Sequence, residues 1–409
     1  MRIAHINVIS ELSTGGVAKG IGEVAKRMGH SVLLCHARGV TPDGMPSYRV
    51  GNRLDTLAHG VFARLTDRAG FASRRATKAL VRQLEAYKPD VVHLHNLHGY
   101  YLHLPTLFAY LKRADVPVVW TLHDCWAYTG HCAYYSMAKC DRWQRGCGHC
   151  PEKRAYPASL LMDQSARNWL DKRRLFCSLP DVTLVAPSLW LKREVERSFL
   201  RKYPVELIPS GIDLTAFRPC EDEGLLRDVI RRFSLGKLGG RKLLLSVAST
   251  WEPRKGLDDF IRLNELLPED EALVLVGLTD RQRQELPDGI LALPRVRNAS
   301  ELRALYSAAD VYLSLSHDET QGLSLLEALA CGTQCLCYNA TALPELLTPD
   351  CGEVAEEYDV EAVAAACARL CEHPKSPADC RRRTERYDKH ARFAQYVRLY
   401  EALAERPNM

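Results

Sequence analysis

Short apolar runs alternate with longer helical patterns along this chain, and nothing else in the sequence constrains the fold as much. Residues 3–8, 31–35, 91–95, 118–122 and 182–186 read as strands. Helical patterns run over 73–87, 105–112 and 158–176. The second half repeats the style, with strands at 242–249, 273–276, 290–293 and 311–316 and helices at 257–267, 300–308 and 322–330. Strands separated by helices of this length mean βαβ units and parallel sheets. Residues 208–213, Ile-Pro-Ser-Gly-Ile-Asp, break the pattern as a linker. The expectation is α/β: two facing doubly wound Rossmann-like parallel-sheet domains with a deep interdomain cleft. Residues 1–208 form the N-terminal domain, with an irregular cysteine-rich insertion at 124–156. Residues 209–390 form the C-terminal domain, and 391–409 a helix crossing back toward the first.

With 409 residues, two or three domains are expected. The surplus of five positive charges is too small for a dedicated nucleic-acid binder. No run is apolar enough for an export signal or a membrane span. The chain therefore reads as cytoplasmic and its fifteen cysteines as thiols or metal ligands rather than disulfides.

In open α/β sheets ligands bind beyond the carboxyl ends of the strands, and four motifs fall at such ends. The sharpest is Glu319-Thr320-Gln321-Gly322-Leu323-Ser324-Leu325-Leu326-Glu327. Its Gly322, Leu323 and Ser324 N–H groups open a helix, a setting suited to phosphate. Carboxylates Glu319 and Glu327 on either side accept hydrogen bonds from hydroxyls. A diphosphate between two polyols is a nucleotide sugar, whereas the plain alternative is an amphipathic helix with acids near its positive end. The second motif, Trp251-Glu252-Pro253-Arg254-Lys255-Gly256, offers Arg254 as a fork and Lys255 as a point charge for a diphosphate; alone it reads as a solvated basic loop. The third is Thr121-Leu122-His123-Asp124, and the fourth Ser13-Thr14-Gly15-Gly16, whose glycines let backbone approach a ligand.

Together and in this order, the four resemble the family 4 glycosyltransferases, retaining enzymes of the GT-B fold. The nearer likeness is to transferases of bacterial capsule, exopolysaccharide and colanic-acid-type clusters. It is carried by His93-Leu94-His95-Asn96-Leu97-His98-Gly99-Tyr100-Tyr101, Trp120-Thr121-Leu122-His123-Asp124-Cys125-Trp126 and Thr129-Gly130-His131-Cys132. The resemblance implies a donor site of Arg254, Lys255, Gly322, Leu323, Ser324 and Glu327. It makes His123 and Glu319 catalytic, with Glu319 on the transferred sugar and His123 at its reacting face. Gly15, Gly16, Asp124 and Tyr100 lie on the acceptor side. The donor is a UDP- or GDP-linked sugar and the acceptor a saccharide or lipid-linked saccharide. No cofactor is required for the reaction. Many members place an Arg where this chain has Thr250. Two other readings are an epimerase or phosphorylase on the same fold, and a zinc-binding interaction protein with a degenerate transferase body.

Two segments stand outside these motifs. Cys132, Cys140, Cys147 and Cys150 fall within nineteen residues and end in Cys-x-x-Cys; a structural zinc and a set of reduced thiols both fit. From Arg53 to Lys88 there are eight Lys or Arg against three Asp or Glu, interleaved with Val61, Phe62, Leu65, Phe71, Leu80 and Val81. That pattern is a solvated helix face or a surface for anionic lipid at the inner face of the membrane.

Overall fold

In the computed structural model, which describes every residue except Pro42, Arg297 and 406–409, the chain divides into two compact units. The first comprises Met1–Gly211 and His390–Met409, the second Ile212–Lys389.

The first unit holds seven strands: β1 (Arg2–Ile9), β2 (Ser31–Arg38), β3 (Ser47–Arg49), β4 (Val91–Leu94), β5 (Val118–Thr121), β6 (Val182–Ala186) and β7 (Val205–Leu207). All pair in parallel, in the order β3-β2-β1-β4-β5-β6-β7. Side chains alternate along each strand. Ala4, Ile6 and Val8 of β1 therefore join one core, together with Leu80, Phe108 and Phe176 from the helices on that side. Ile3 faces the other core, closed by the helices Leu12–Arg27 and Lys389–Ala404 through Ile21, Phe393, Tyr396, Val397 and Tyr400. His5 of β1 pairs in register with His93 of β4 on that same face.

The second unit holds β8 (Lys242–Val247), β9 (Glu271–Val276), β10 (Leu291–Leu293), β11 (Val311–Ser314), β12 (Cys335–Tyr338) and β13 (Gly352–Ala355), parallel in the order β10-β9-β8-β11-β12-β13. Leu243, Leu245, Val274 and Val276 pack on one side, Leu244, Leu273 and Leu275 on the other. Runs apolar on both faces are what a sheet covered by helices requires. Strand order reverses between β1 and β4 and between β8 and β11. Ligands of doubly wound sheets bind at such points.

Several local expectations are corrected. The helix expected over 158–176 begins at Ser165. Asp163 accepts hydrogen bonds from the Ser165 N–H (2.9 Å) and from the Cys150 N–H (2.7 Å), holding the preceding residues in a turn. Gly15 and Gly16 lie inside the helix Leu12–Arg27 rather than in a turn before it, and the kink falls at Ser13. The basic stretch from Arg53 carries its own helix, Arg53–Thr66, started by a reciprocal Asn52–Asp55 cap. No described helix is long and apolar enough to cross a membrane.

Candidate active site

In the second unit both chemical motifs leave the switch point of the sheet, one after β8 and one after β11. The loop after β8 makes a short turn, Pro253–Lys255. Its Arg254 carbonyl accepts the His317 N–H at 2.8 Å, tying it to the end of β11. Lys255 Nζ then contacts Glu319 Oε1 directly. Burial works against the Glu319 charge, but Lys255 and Arg254 outweigh it and hold the carboxyl below its ordinary pKa. Arg254 donates through Nη1 to the Asp318 carbonyl (3.0 Å) and through Nε to Glu252 (3.0 Å). Both cations thus come from one loop.

Gly322 begins the helix Leu323–Ala330 with φ of 91°. A side chain there would also strike Leu343, 2.7 Å away, so glycine is demanded twice. The first-turn N–H groups that follow have no intrahelical acceptor. Ser324 Oγ accepts the Tyr312 hydroxyl at 2.8 Å. One turn on, Glu327 is half-buried, and burial lifts its pKa to about 7. The Tyr306 hydroxyl donates to it at 3.1 Å and opposes that rise. Two carboxylates of one motif therefore differ: Glu319 is paired with a cation and Glu327 titrates near neutrality.

In the first unit the site grows from the ends of two strands and the middle of a third. His123 follows β5, and its Nε2 lies 3.0 Å from Nδ1 of His95, which follows β4. His95 Nε2 lies 3.1 Å from Nδ1 of His5 on β1. Burial lowers the pKa of His123 to about 4 and of His5 to about 3, and drives His95 well below the ordinary value. The three form a neutral chain of imidazoles. Asp124 meets His98 at 2.7 Å and accepts the Trp126 N–H at 2.9 Å. Burial opposes its charge too, and His98 overcomes this to hold the carboxyl below its usual range. His98 also bonds the Tyr156 hydroxyl at 3.0 Å, and Tyr156 meets the Tyr100 ring edge-on. Asn7 bridges the glycine segment to this group, donating to Thr14 Oγ1 (3.2 Å) and accepting the Asn96 N–H (3.2 Å). A Cβ on Gly15 would stand 2.8 Å from the Ser10 backbone, while one on Gly16 meets nothing within 4 Å.

His5, Tyr306 and Tyr312 were not singled out from the sequence, and His95 and His98 only within the segment that carries the resemblance. One signal was available: His93 and His95, two apart in a strand, share a face. Cys132, Cys140, Cys147 and Cys150 line one small cavity with His131. The described group with three ligand atoms within 4.8 Å of one another is His5, His93 and His95, not the cysteines. His93 has both ring nitrogens engaged, by Tyr400 (2.5 Å) and Thr121 (2.8 Å), as befits a packed core histidine.

Comparison with known proteins identifies the family. Residues 14–216 match the model of Glycosyltransferase Family 4, and residues 230–387 that of Glycosyl transferases group 1. A putative colanic acid biosynthesis glycosyl transferase, WcaC of Escherichia coli K12, is 29% identical over 43% of this chain and 45% of its own length. The O-antigen chain mannosyltransferase B of Escherichia coli is 27% identical over 53% of this chain and 56% of its own. The matched segments thus span about half the length of these curated relatives. The solved structure of Anabaena HepE, in complex with UDP and glucose, superposes with a TM-score of 0.66 at 16% identity, covering 98% of this chain and 100% of that one. That likeness, at such identity, identifies the fold as GT-B.

Proposed function

This chain belongs to glycosyltransferase family 4, and on that premise we propose that it transfers a sugar, with retained configuration, from a nucleoside-diphosphate sugar to a saccharide acceptor of a bacterial surface polysaccharide. One observation carries the reading: Lys255 meets Glu319 beside the N-terminus of the helix that presents Glu327. In this reading Lys255 and Arg254 turn toward the diphosphate, and the helix N–H groups share its charge. Glu327 accepts the ribose hydroxyls and Glu319 those of the transferred sugar. As the bond from the anomeric carbon to phosphate breaks, the cations and helix end meet the growing negative charge. The acceptor oxygen bonds to the same face of that carbon, and its proton passes to the departing diphosphate. Glu319, paired with a cation, suits holding a hydroxyl better than attacking carbon. Neutral His123 accepts or donates one hydrogen bond at the reacting sugar.

The acceptor reading extends to lipid-linked saccharides. Leu54, Leu57, Val61, Phe62 and Leu65 of the helix Arg53–Thr66 are exposed, Leu54 by 75%. Leu160, Leu161 and Met162 are exposed too, and the Leu160 N–H donates to the Arg64 carbonyl at 2.7 Å. This apolar patch has the basic helix Arg74–Tyr87 next in sequence. Leu80 of that helix turns into the core instead. Apolar surface accompanied by cations suits an anionic lipid headgroup layer. Flotation with phosphatidylglycerol vesicles checks this, with retention expected for the native chain and lost in Leu57→Glu/Phe62→Glu.

Turnover of a panel of UDP-, GDP- and ADP-sugars tests the main reading, following release of the nucleoside diphosphate. Slow release from one donor, lost in Glu319→Ala and Lys255→Ala, is expected. Neither release nor thermal stabilisation by any nucleoside diphosphate would overturn it.

A further inference from the structure

We propose that the cysteine-rich insertion binds one structural zinc ion through Cys132, Cys140, Cys147 and Cys150. All four are free thiols. They line a single cavity of about 10 Å³, room for one small sphere rather than a substrate. Cys132 and Cys150 interact with each other electrostatically, each shifting the other's thiol. Cys147 Sγ accepts the Gly130 N–H at 3.1 Å, a contact that strengthens when the sulfur is ionised.

Two buried groups near the cavity suit such an ion. Lys172 is 1% exposed, and its ammonium donates to the carbonyls of Trp126 (2.7 Å) and Thr129 (3.1 Å) and lies over the Trp126 ring. None of these partners is charged. A buried cation needs a counter-charge, and Cys147, Cys132, Asp67 and Asp124 are within its electrostatic reach. Zinc held by four thiolates carries a net charge of about −2 and adds to that of the two carboxylates. The second group is His131, whose side chain is fully buried and lines the same cavity. Its Nδ1 is held by Asp67, and its Nε2 has no hydrogen-bond partner. Cys150 is within its electrostatic reach. A carboxylate-held imidazole beside a metal site is a familiar supporting group, and Nε2–H is placed to donate to a bound thiolate.

The sulfurs of a zinc tetrathiolate stand about 3.8 Å apart, from Zn–S bonds of roughly 2.3 Å. No three here are within 4.8 Å of one another, so the ion draws them together and tightens the loop. Four thiolates leave no open position, so the role is structural. The braced segment runs from Asp124 to Tyr156, both of which bond His98.

Metal analysis of the full-length chain, purified reduced and without chelator, tests this. About one zinc per chain is expected, lost in Cys147→Ser and Cys150→Ser and kept in Cys177→Ser. Should those variants fail to fold, the native chain decides. Stepwise mercurial titration should release the zinc as these thiols react, and cobalt exchanged into the site should give thiolate charge-transfer and tetrahedral ligand-field bands. A folded, reduced chain holding under roughly a tenth of an equivalent of zinc and giving no cobalt bands would overturn the site. So would zinc retained in both variants, or a Cys147–Cys150 disulfide.

Discussion

The two sheets use their switch points in opposite ways. Beyond β8 and β11 the second unit gathers charges, with Lys255 on Glu319 and Arg254 next to both. Within β1 and beyond β4 and β5 the first unit gathers imidazoles that burial keeps neutral. A charged pocket can compensate a ligand that is itself charged. A neutral chain of rings can only orient hydrogen bonds. Under the proposed function, the second unit's charges suit a phosphate and the first unit's rings suit a hydroxyl.

The strongest way to break this contrast is to remove the charges. Glu319→Ala and Lys255→Ala should each lower kcat/KM by about 10³-fold, and Lys255→Ala should also weaken nucleoside diphosphate binding measured by calorimetry. If Lys255→Ala leaves that binding intact, the charged pocket is not the phosphate site. Next, His95→Ala interrupts the imidazole chain behind His123. A loss of about 10²-fold in kcat is expected, with nucleoside diphosphate affinity unchanged. A matching loss of nucleotide affinity would merge the two roles.

The third test is pH. Glu327, with a pKa lifted to about 7, is protonated below that value and accepts hydroxyls poorly as the neutral acid. Binding hydroxyls to the ionised form favours ionisation, so affinity for a nucleotide sugar should tighten by up to about 10-fold as pH rises through 7 and then level off. Titration calorimetry across that range checks it, and Glu327→Gln should flatten the profile. The last test is of stability, through the glycines. Gly15→Ala should cost about 1–3 kcal/mol in chemical denaturation, since its Cβ meets backbone that cannot move aside. Gly16→Ala, in open space, should change stability by less than about 1 kcal/mol.

How far each region could be read from sequence follows the same division. Glu319, Gly322 and Glu327 lie within one strand-turn-helix unit, so nine consecutive letters carry their geometry. His5, His95 and His123 come from three strands that are adjacent only after the sheet forms, so the motif marking His123 and the spacing of His93 and His95 do not show that the three rings meet. The strands β1, β4, β8 and β11 were legible because they are apolar on both faces. The helix at 158–176 was misjudged by seven residues at its start, because the Asp163 turn depends on a partner across a loop, the Cys150 N–H. The short edge strand β3 has too few residues for any period to show.

The first unit is not continuous in the chain. One face of its sheet is covered by Phe393, Tyr396, Val397 and Tyr400, and Gly20 packs so tightly that an added Cβ would lie within 2.4 Å of the Phe393 ring. During synthesis the residues of the second unit therefore emerge in full before the first can close. Until the last helix leaves the ribosome, His93 lacks Tyr400 and an apolar sheet face waits uncovered. Stop codons placed shortly before residue 390 should thus yield a nascent chain that recruits chaperones rather than a smaller working protein.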